Sequence, residues 1–118
     1  MPYRIRKEFT FAASHILNGL PEGHKCGRLH GHNYTVVLEL SAARLDLAGF
    51  VVDFGELRPF ATLLDGTFDH RHLNDVMSGN PTAERLAEYL FHAARSMWAE
   101  TTAVKVHETA SSSAEFRP

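Results

Sequence analysis

From Tyr3 to His15 the chain alternates. Tyr3, Ile5, Phe9, Phe11, Ala13 and His15 share one parity, and Arg4, Arg6, Glu8 and Thr10 share the other. A period of two, interrupted at Lys7, predicts a half-buried β-strand. NGLPEGHKCG (18–27) is dense in turn residues and reads as a loop. A second alternation puts His30, His32, Tyr34, Val36, Leu38 and Leu40 on one face, with Asn33, Thr35 and Glu39 opposite; Val37 makes that opposite face partly apolar.

DFGELRPFATLLDGTF (53–68) reads as a helix capped by Asp53, with Pro59 and Gly66 as its weak points. FDHRHLNDVMSGN (68–80) reads as a loop. NPTAERLAEYLFHAARSMW (80–98) has the clearest helical period, with Asn80 as cap, Pro81 in the first helical position, and Leu86, Leu90, Ala94 and Met97 three or four apart. Met97 and Trp98 read as core. AVKVHETA (103–110) alternates again, and a short last strand is expected around Glu115 and Phe116. The order strand, strand, helix, helix, strand predicts an α+β domain over residues 1–118, with antiparallel hairpins and helices on one face.

At 118 residues the chain suits one domain with a single core. A net charge of −2 and a pI near 6.4 argue against a general nucleic-acid or membrane-surface binder. The single cysteine excludes an intramolecular disulfide and suits a reducing compartment. MPYRIRKEF resembles neither a signal peptide nor a membrane span, so a cytoplasmic location is expected. Eight histidines are the one compositional oddity.

Residues two apart on a strand point the same way, so His30 and His32 aim together. His15 shares the parity of Phe9 and Phe11. Pairing of the first two strands would bring three imidazoles to one end of the covered face. Zinc takes imidazole nitrogen at about 2.0–2.1 Å, and three protein ligands with one open position is the catalytic pattern. Gly31 removes a side chain where backbones must approach. The plain alternative is three histidines satisfied by ordinary hydrogen bonds, and cupin metal sites also use an H-x-H.

Cys26 has two readings. As a fourth ligand it would close a structural Cys–His₃ site; as a thiol beside the metal it would do chemistry. Asp69 and His70 are adjacent, a pairing in which an aspartate orients and charges an imidazole, or else merely a turn aspartate beside an exposed ring. Glu108 is in phase with Val104 and Val106, which aims a carboxylate at the covered face or lets it escape at the strand end. Glu84 in a first helical turn reads as a favourable helix-dipole charge. His24, His72, His92 and His107 have no partner pattern and read as surface residues.

Taken together, F-x-A-S-H (11–15), C-x-x-x-H-G-H-N-Y (26–34), V-D-F (52–54), F-D-H-x-x-L-N (68–74), N-P-T-x-E (80–84) and H-E-T (107–109) resemble the 6-pyruvoyl-tetrahydropterin synthase / 6-carboxytetrahydropterin synthase family, in order and over nearly the whole chain. The compact length is more similar to the carboxytetrahydropterin (queuosine-pathway) branch. The resemblance implies a T-fold (tunnelling-fold) subunit, a four-stranded antiparallel sheet with two helices on one side, assembled into a homohexamer of two trimers. It implies Zn²⁺ on His15, His30 and His32, a catalytic thiol at Cys26, and Asp69 and His70 completing a triad between subunits. It also implies a pterin held by Glu108 and Thr109, with Thr82 and Glu84 nearby. The implied substrate is 7,8-dihydroneopterin triphosphate, with Lys25, Arg28 and Arg71 close enough in sequence to meet its phosphates. The implied product is 6-carboxytetrahydropterin with acetaldehyde and triphosphate, or the pyruvoyl product of the sister activity. A zinc-stabilised module without catalysis, or a metal-dependent oxygenase or isomerase of cupin type, is the competing class.

Overall fold

A computed structural model describes residues 1–118. Strands β1 (Tyr3–His15) and β2 (His30–Ala42) form a long antiparallel pair, in which Phe11 lies opposite Tyr34 and His15 opposite His30. Strand β4 (Thr101–Thr109) pairs antiparallel with β2 and with β5 (Ser112–Phe116), after the two-residue strand β3 (Arg71–His72). The sheet order is β3-β1-β2-β4-β5. The expected four-stranded antiparallel sheet is β1, β2, β4 and β5. Strand β3 adds a parallel edge where a plain loop was expected, pairing Arg71 with Ala13 and His72 with Ser14.

Helices α1 (Arg58–Thr67) and α2 (Ala83–Met97) cover one face. The alternation of β1 and β2 holds: Phe9, Phe11 and Ala13, and Tyr34, Val36, Leu38 and Leu40, are buried beneath the helices with Leu64, Leu86, Leu90, Val104 and Val106. Phe11 and Tyr34 stack at 4.8 Å between centroids, 12° from parallel. Such a cross-strand aromatic pair contributes about 0.5–1.5 kcal/mol beyond its burial.

Three details depart from the sequence reading. The first helix splits: Asp53 caps a 3₁₀ turn at Phe54–Leu57, accepting from Gly55 N–H at 2.9 Å, and α1 starts afresh at Arg58. Pro59 has no N–H to donate, so it fits only a first turn. The cap of α2 is Thr82, whose Oγ accepts from Arg85 N–H at 3.2 Å, and not Asn80, so Pro81 lies outside the helix. Met97 is exposed, whereas Trp98 packs partly buried against the core. No helix is long and apolar enough to cross a membrane.

Candidate metal centre and active site

His15 and His30 are a directly opposed cross-strand pair at the open end of the β1–β2 ladder, and His32 follows two residues along β2. Gly31 between them eases the close approach of the strands, because a Cβ there would lie 3.2 Å from the carbonyl oxygen of Ala13. The ligand nitrogens of the three histidines lie within 4.8 Å of one another.

Their protons can be placed from their partners. His15 Nδ1 is 2.8 Å from the carbonyl of Pro81, and His30 Nδ1 is 2.7 Å from that of Arg28. A carbonyl only accepts, so both rings carry their proton on Nδ1 and present bare lone pairs at Nε2. Those two Nε2 atoms are 2.9 Å apart. Facing lone pairs repel unless a cation or proton sits beside them. His32 Nε2 is buried with no hydrogen-bond partner at all. Burial lowers the pKa of His32, and the neighbouring His15 and His30 push the same way against Glu108, which favours the neutral, ligating form. Nδ1–H bonds to backbone carbonyls are what orient metal-binding imidazoles. The donor set, its orphaned nitrogen and its outer hydrogen bonds fit a zinc ion with three protein ligands.

Glu108 points where its parity predicts. Its Oε2 stands 3.6 Å from Nε2 of both His15 and His32. Tyr34, fully buried, places its hydroxyl 3.5 Å from His15 Nδ1, and burial together with the Glu108 charge raises its pKa.

Cys26 lies in a single 3₁₀ turn, Lys25–Gly27, partly exposed, and is not part of the histidine cluster. The closed Cys–His₃ site therefore does not form. Its backbone N–H donates to His24 Nδ1 at 3.1 Å, which gives His24 a partner after all. Asp69 and His70 do pair: Asp69 Oδ2 meets His70 Nδ1 at 2.8 Å, and Asp69 Oδ1 accepts from Ala12 N–H at 2.9 Å. Those bonds, the Ala12 amide foremost, lower the pKa of Asp69. His70 adopts φ +58° and donates its own N–H to the Ala12 carbonyl at 2.6 Å. Its ring is 83 % exposed and lines a groove of about 480 Å³ with Ala12, Ala13, Ser14, Gly31, His32 and Asn33. His72 lines the same groove and bonds Ser14 Oγ at 3.0 Å. One chain thus supplies the histidine cluster at the end of the β1–β2 pair and, on the outer edge of β1 beside β3, the Asp69–His70 pair, with His32 and His70 bordering the same groove.

The remaining expected contacts have local work. Thr82 caps α2, Thr109 Oγ accepts from Ser111 N–H at 3.3 Å in the β4–β5 turn, and Glu84 is exposed in the first turn of α2. Sequence reasoning missed Asn74 and Asn80, whose side-chain amides each bond both backbone groups of a residue just beyond His15. The available signal was their place in the F-D-H-x-x-L-N and N-P-T-x-E runs, which spacing alone does not tie to residues 16 and 18.

An α+β sheet covered on one side by two helices, with three imidazoles converging at the open end of that side, is the architecture of a T-fold subunit. Residues 4–118 match the family model described as 6-pyruvoyl tetrahydropterin synthase. The chain is 32 % identical over 108 residues to an Archaeoglobus fulgidus protein provisionally named 6-carboxy-5,6,7,8-tetrahydropterin synthase, covering 92 % of this chain and 90 % of that one. It is 32 % identical over 107 residues to the 6-carboxy-5,6,7,8-tetrahydropterin synthase of Rickettsia typhi, covering 74 % and 76 %. The solved structure of Caenorhabditis elegans 6-pyruvoyl tetrahydropterin synthase superposes with a TM-score of 0.86 at 24 % identity, over 98 % of this chain and 95 % of that one, and so shares the fold. The chain belongs to the 6-pyruvoyl tetrahydropterin synthase family.

Proposed function

We infer that this chain is a zinc-dependent 6-carboxytetrahydropterin synthase, converting 7,8-dihydroneopterin triphosphate to 6-carboxy-5,6,7,8-tetrahydropterin with release of acetaldehyde and triphosphate. The observation that carries the reading is the pair of bare His15 and His30 Nε2 atoms 2.9 Å apart, beside the orphaned Nε2 of His32. These three residues would hold the ion. When bound, zinc supplies a Lewis acid that stabilises negative charge developing on the substrate's side-chain oxygens.

The chain's own residues divide the rest. Cys26, outside the ligand set, is free to act as a base that takes a proton from the substrate side chain. Asp69 holds the Nδ1–H of His70, which leaves His70 Nε2 exposed as the proton relay. In one chain that relay is exposed on the β1 edge beside β3, and, as the family resemblance implies, the complete site combines Cys26 of one subunit with Asp69 and His70 of another, in a homohexamer of stacked trimers. Glu108 fixes the pterin through its paired N–H donors, turning its carboxylate outward from the histidines to do so, with Thr109 beside it; Thr82 and Glu84 border the ring. Positioning of this kind is worth several kcal/mol of barrier, on the order of 7–11 at best. The lone thiol suits the cytoplasm, and the product suits queuosine or other 7-deazapurine synthesis.

The names of the archaeal and rickettsial relatives support the carboxy product. The family model and the nematode structure carry the pyruvoyl name, which favours simple triphosphate elimination as the second reading. Incubation with 7,8-dihydroneopterin triphosphate, with products identified by mass and acetaldehyde trapped, separates them. Carboxytetrahydropterin with acetaldehyde is expected. A pyruvoyl product assigns the sister activity, and no turnover with zinc loaded removes the enzymatic reading.

A further inference from the structure

We propose that Asn74 and Asn80 are positioning residues that set the catalytic loop carrying Cys26, an inference that rests on the thiol's role above. Beyond His15 the chain leaves the sheet, yet residues 16–18 keep a strand's hydrogen bonding. On one edge, β3 pairs only as far as Ser14. There Asn74 takes over: its Oδ1 accepts from Ile16 N–H at 2.9 Å and its Nδ2 donates to Ile16 C=O at 2.8 Å. Asn80 repeats the arrangement on Asn18, with 2.8 Å for both bonds. Two side-chain amides, two residues apart along the segment, thereby stand in for a missing neighbouring strand.

The opposite edge carries the consequence. The β1–β2 ladder ends at His15 and His30, and the next link is Leu17 N–H donating to the carbonyl of Cys26 at 3.1 Å. Cys26 is therefore tied to the same extended segment that presents His15, two residues on. Gly27, following the thiol, keeps its missing Cβ position 3.7 Å from Leu17 O, so the two backbones lie in contact. Pro81, next to Asn80, accepts from His15 Nδ1. One segment thus fixes both the imidazole and the thiol, and the two asparagines fix the segment. An amide is required because each site needs a donor and an acceptor side by side. An aspartate keeps the acceptor but turns a carboxylate oxygen on a carbonyl.

The test compares N74D and N80D with the native chain, all loaded with zinc. Cys26 is the only thiol, so its alkylation by iodoacetamide reads the loop directly. Expected are faster exchange of the Leu17 amide by about tenfold or more, and a change of about threefold or more in the Cys26 alkylation rate. A kcat lowered by about tenfold or more is also expected, with KM within about threefold and zinc retained. N74S and N80S, which lose only part of the pair, replace any aspartate variant that does not fold. An unchanged Leu17 exchange rate, or faster exchange with alkylation and kcat both native, overturns the inference. Full turnover by C26A would instead sink the role of the thiol, and in that event alkylation and exchange alone decide whether the asparagines set the loop.

Discussion

Arg117, one residue from the end of the chain, reaches back over the sheet and grips the buried carboxylate of Glu39 in β2 with both terminal guanidinium nitrogens, Nη1 and Nη2. Thr102 adds a bond at 2.8 Å, and Arg6 stands 3.0 Å away. Burial alone would raise the Glu39 pKa, but the bonds from Arg117 and Thr102 and the charges of Arg117 and Arg4 outweigh it and bring it to about 2. A depressed carboxylate pKa contributes stability above its unfolded value near 4.3, and that contribution is lost as pH falls through the folded value. Acid unfolding should therefore steepen between about pH 4 and 2. Arg117→Ala should cost about 1–3 kcal/mol at neutral pH and flatten that region. Denaturant melts from pH 2 to 7 measure both, and an R117A chain as stable as the native one would contradict the account.

Removing any one metal-binding histidine should release the ion. His15→Ala, His30→Ala and His32→Ala are each expected to lose bound zinc by elemental analysis. A strong chelator should lower the melting temperature of the native chain and leave those variants unmoved. At a free zinc concentration one hundred times the dissociation constant, the linkage is worth about 2.7 kcal/mol. Zinc retained in a single variant would mean that the remaining donors suffice.

Glu108→Gln separates ring from metal. Its Oε2 is close enough to the histidines that a role there would appear in zinc affinity. A pterin-holding carboxylate instead predicts KM raised about tenfold or more with zinc affinity kept. Chelator competition and steady-state kinetics on the same preparation distinguish the two.

Sites shared between subunits complement. C26A and H70A should each be inactive, and refolding them together should restore about a quarter of native activity, the share of sites that draw both intact groups at random. Activity that stays at the single-variant level would place the whole site in one chain.

Parity explains how much of this could be read from the chain. His15, His30 and His32 converge because each keeps the phase of a buried aromatic or aliphatic residue on its own strand, and that phase is local. Glu108 follows for the same reason. The placement of Asp69 and His70 at the edge of β1 is not local: it depends on Ala12, 57 residues away, offering both backbone groups to them. The cap of α2 shows the same limit. Asn80 and Thr82 are both good caps by type, and Thr82 takes the position because the Asn80 amide is engaged by Asn18, 62 residues away. Likewise β3 exists only because β1 provides an edge.

All three imidazoles belong to one hairpin, between residues 15 and 32. Bringing their strands together closes the segment 16–29, whose entropic cost grows slowly with length, whereas the carbonyl that orients His15 comes from Pro81, 66 residues further on. Glu108 must wait for β4, and Asp69 for α1 to end beside β1. The centre therefore combines a local part, the three imidazoles of one hairpin, with groups that only the complete fold brings to it: Glu108, the Pro81 carbonyl and the Asp69–His70 pair.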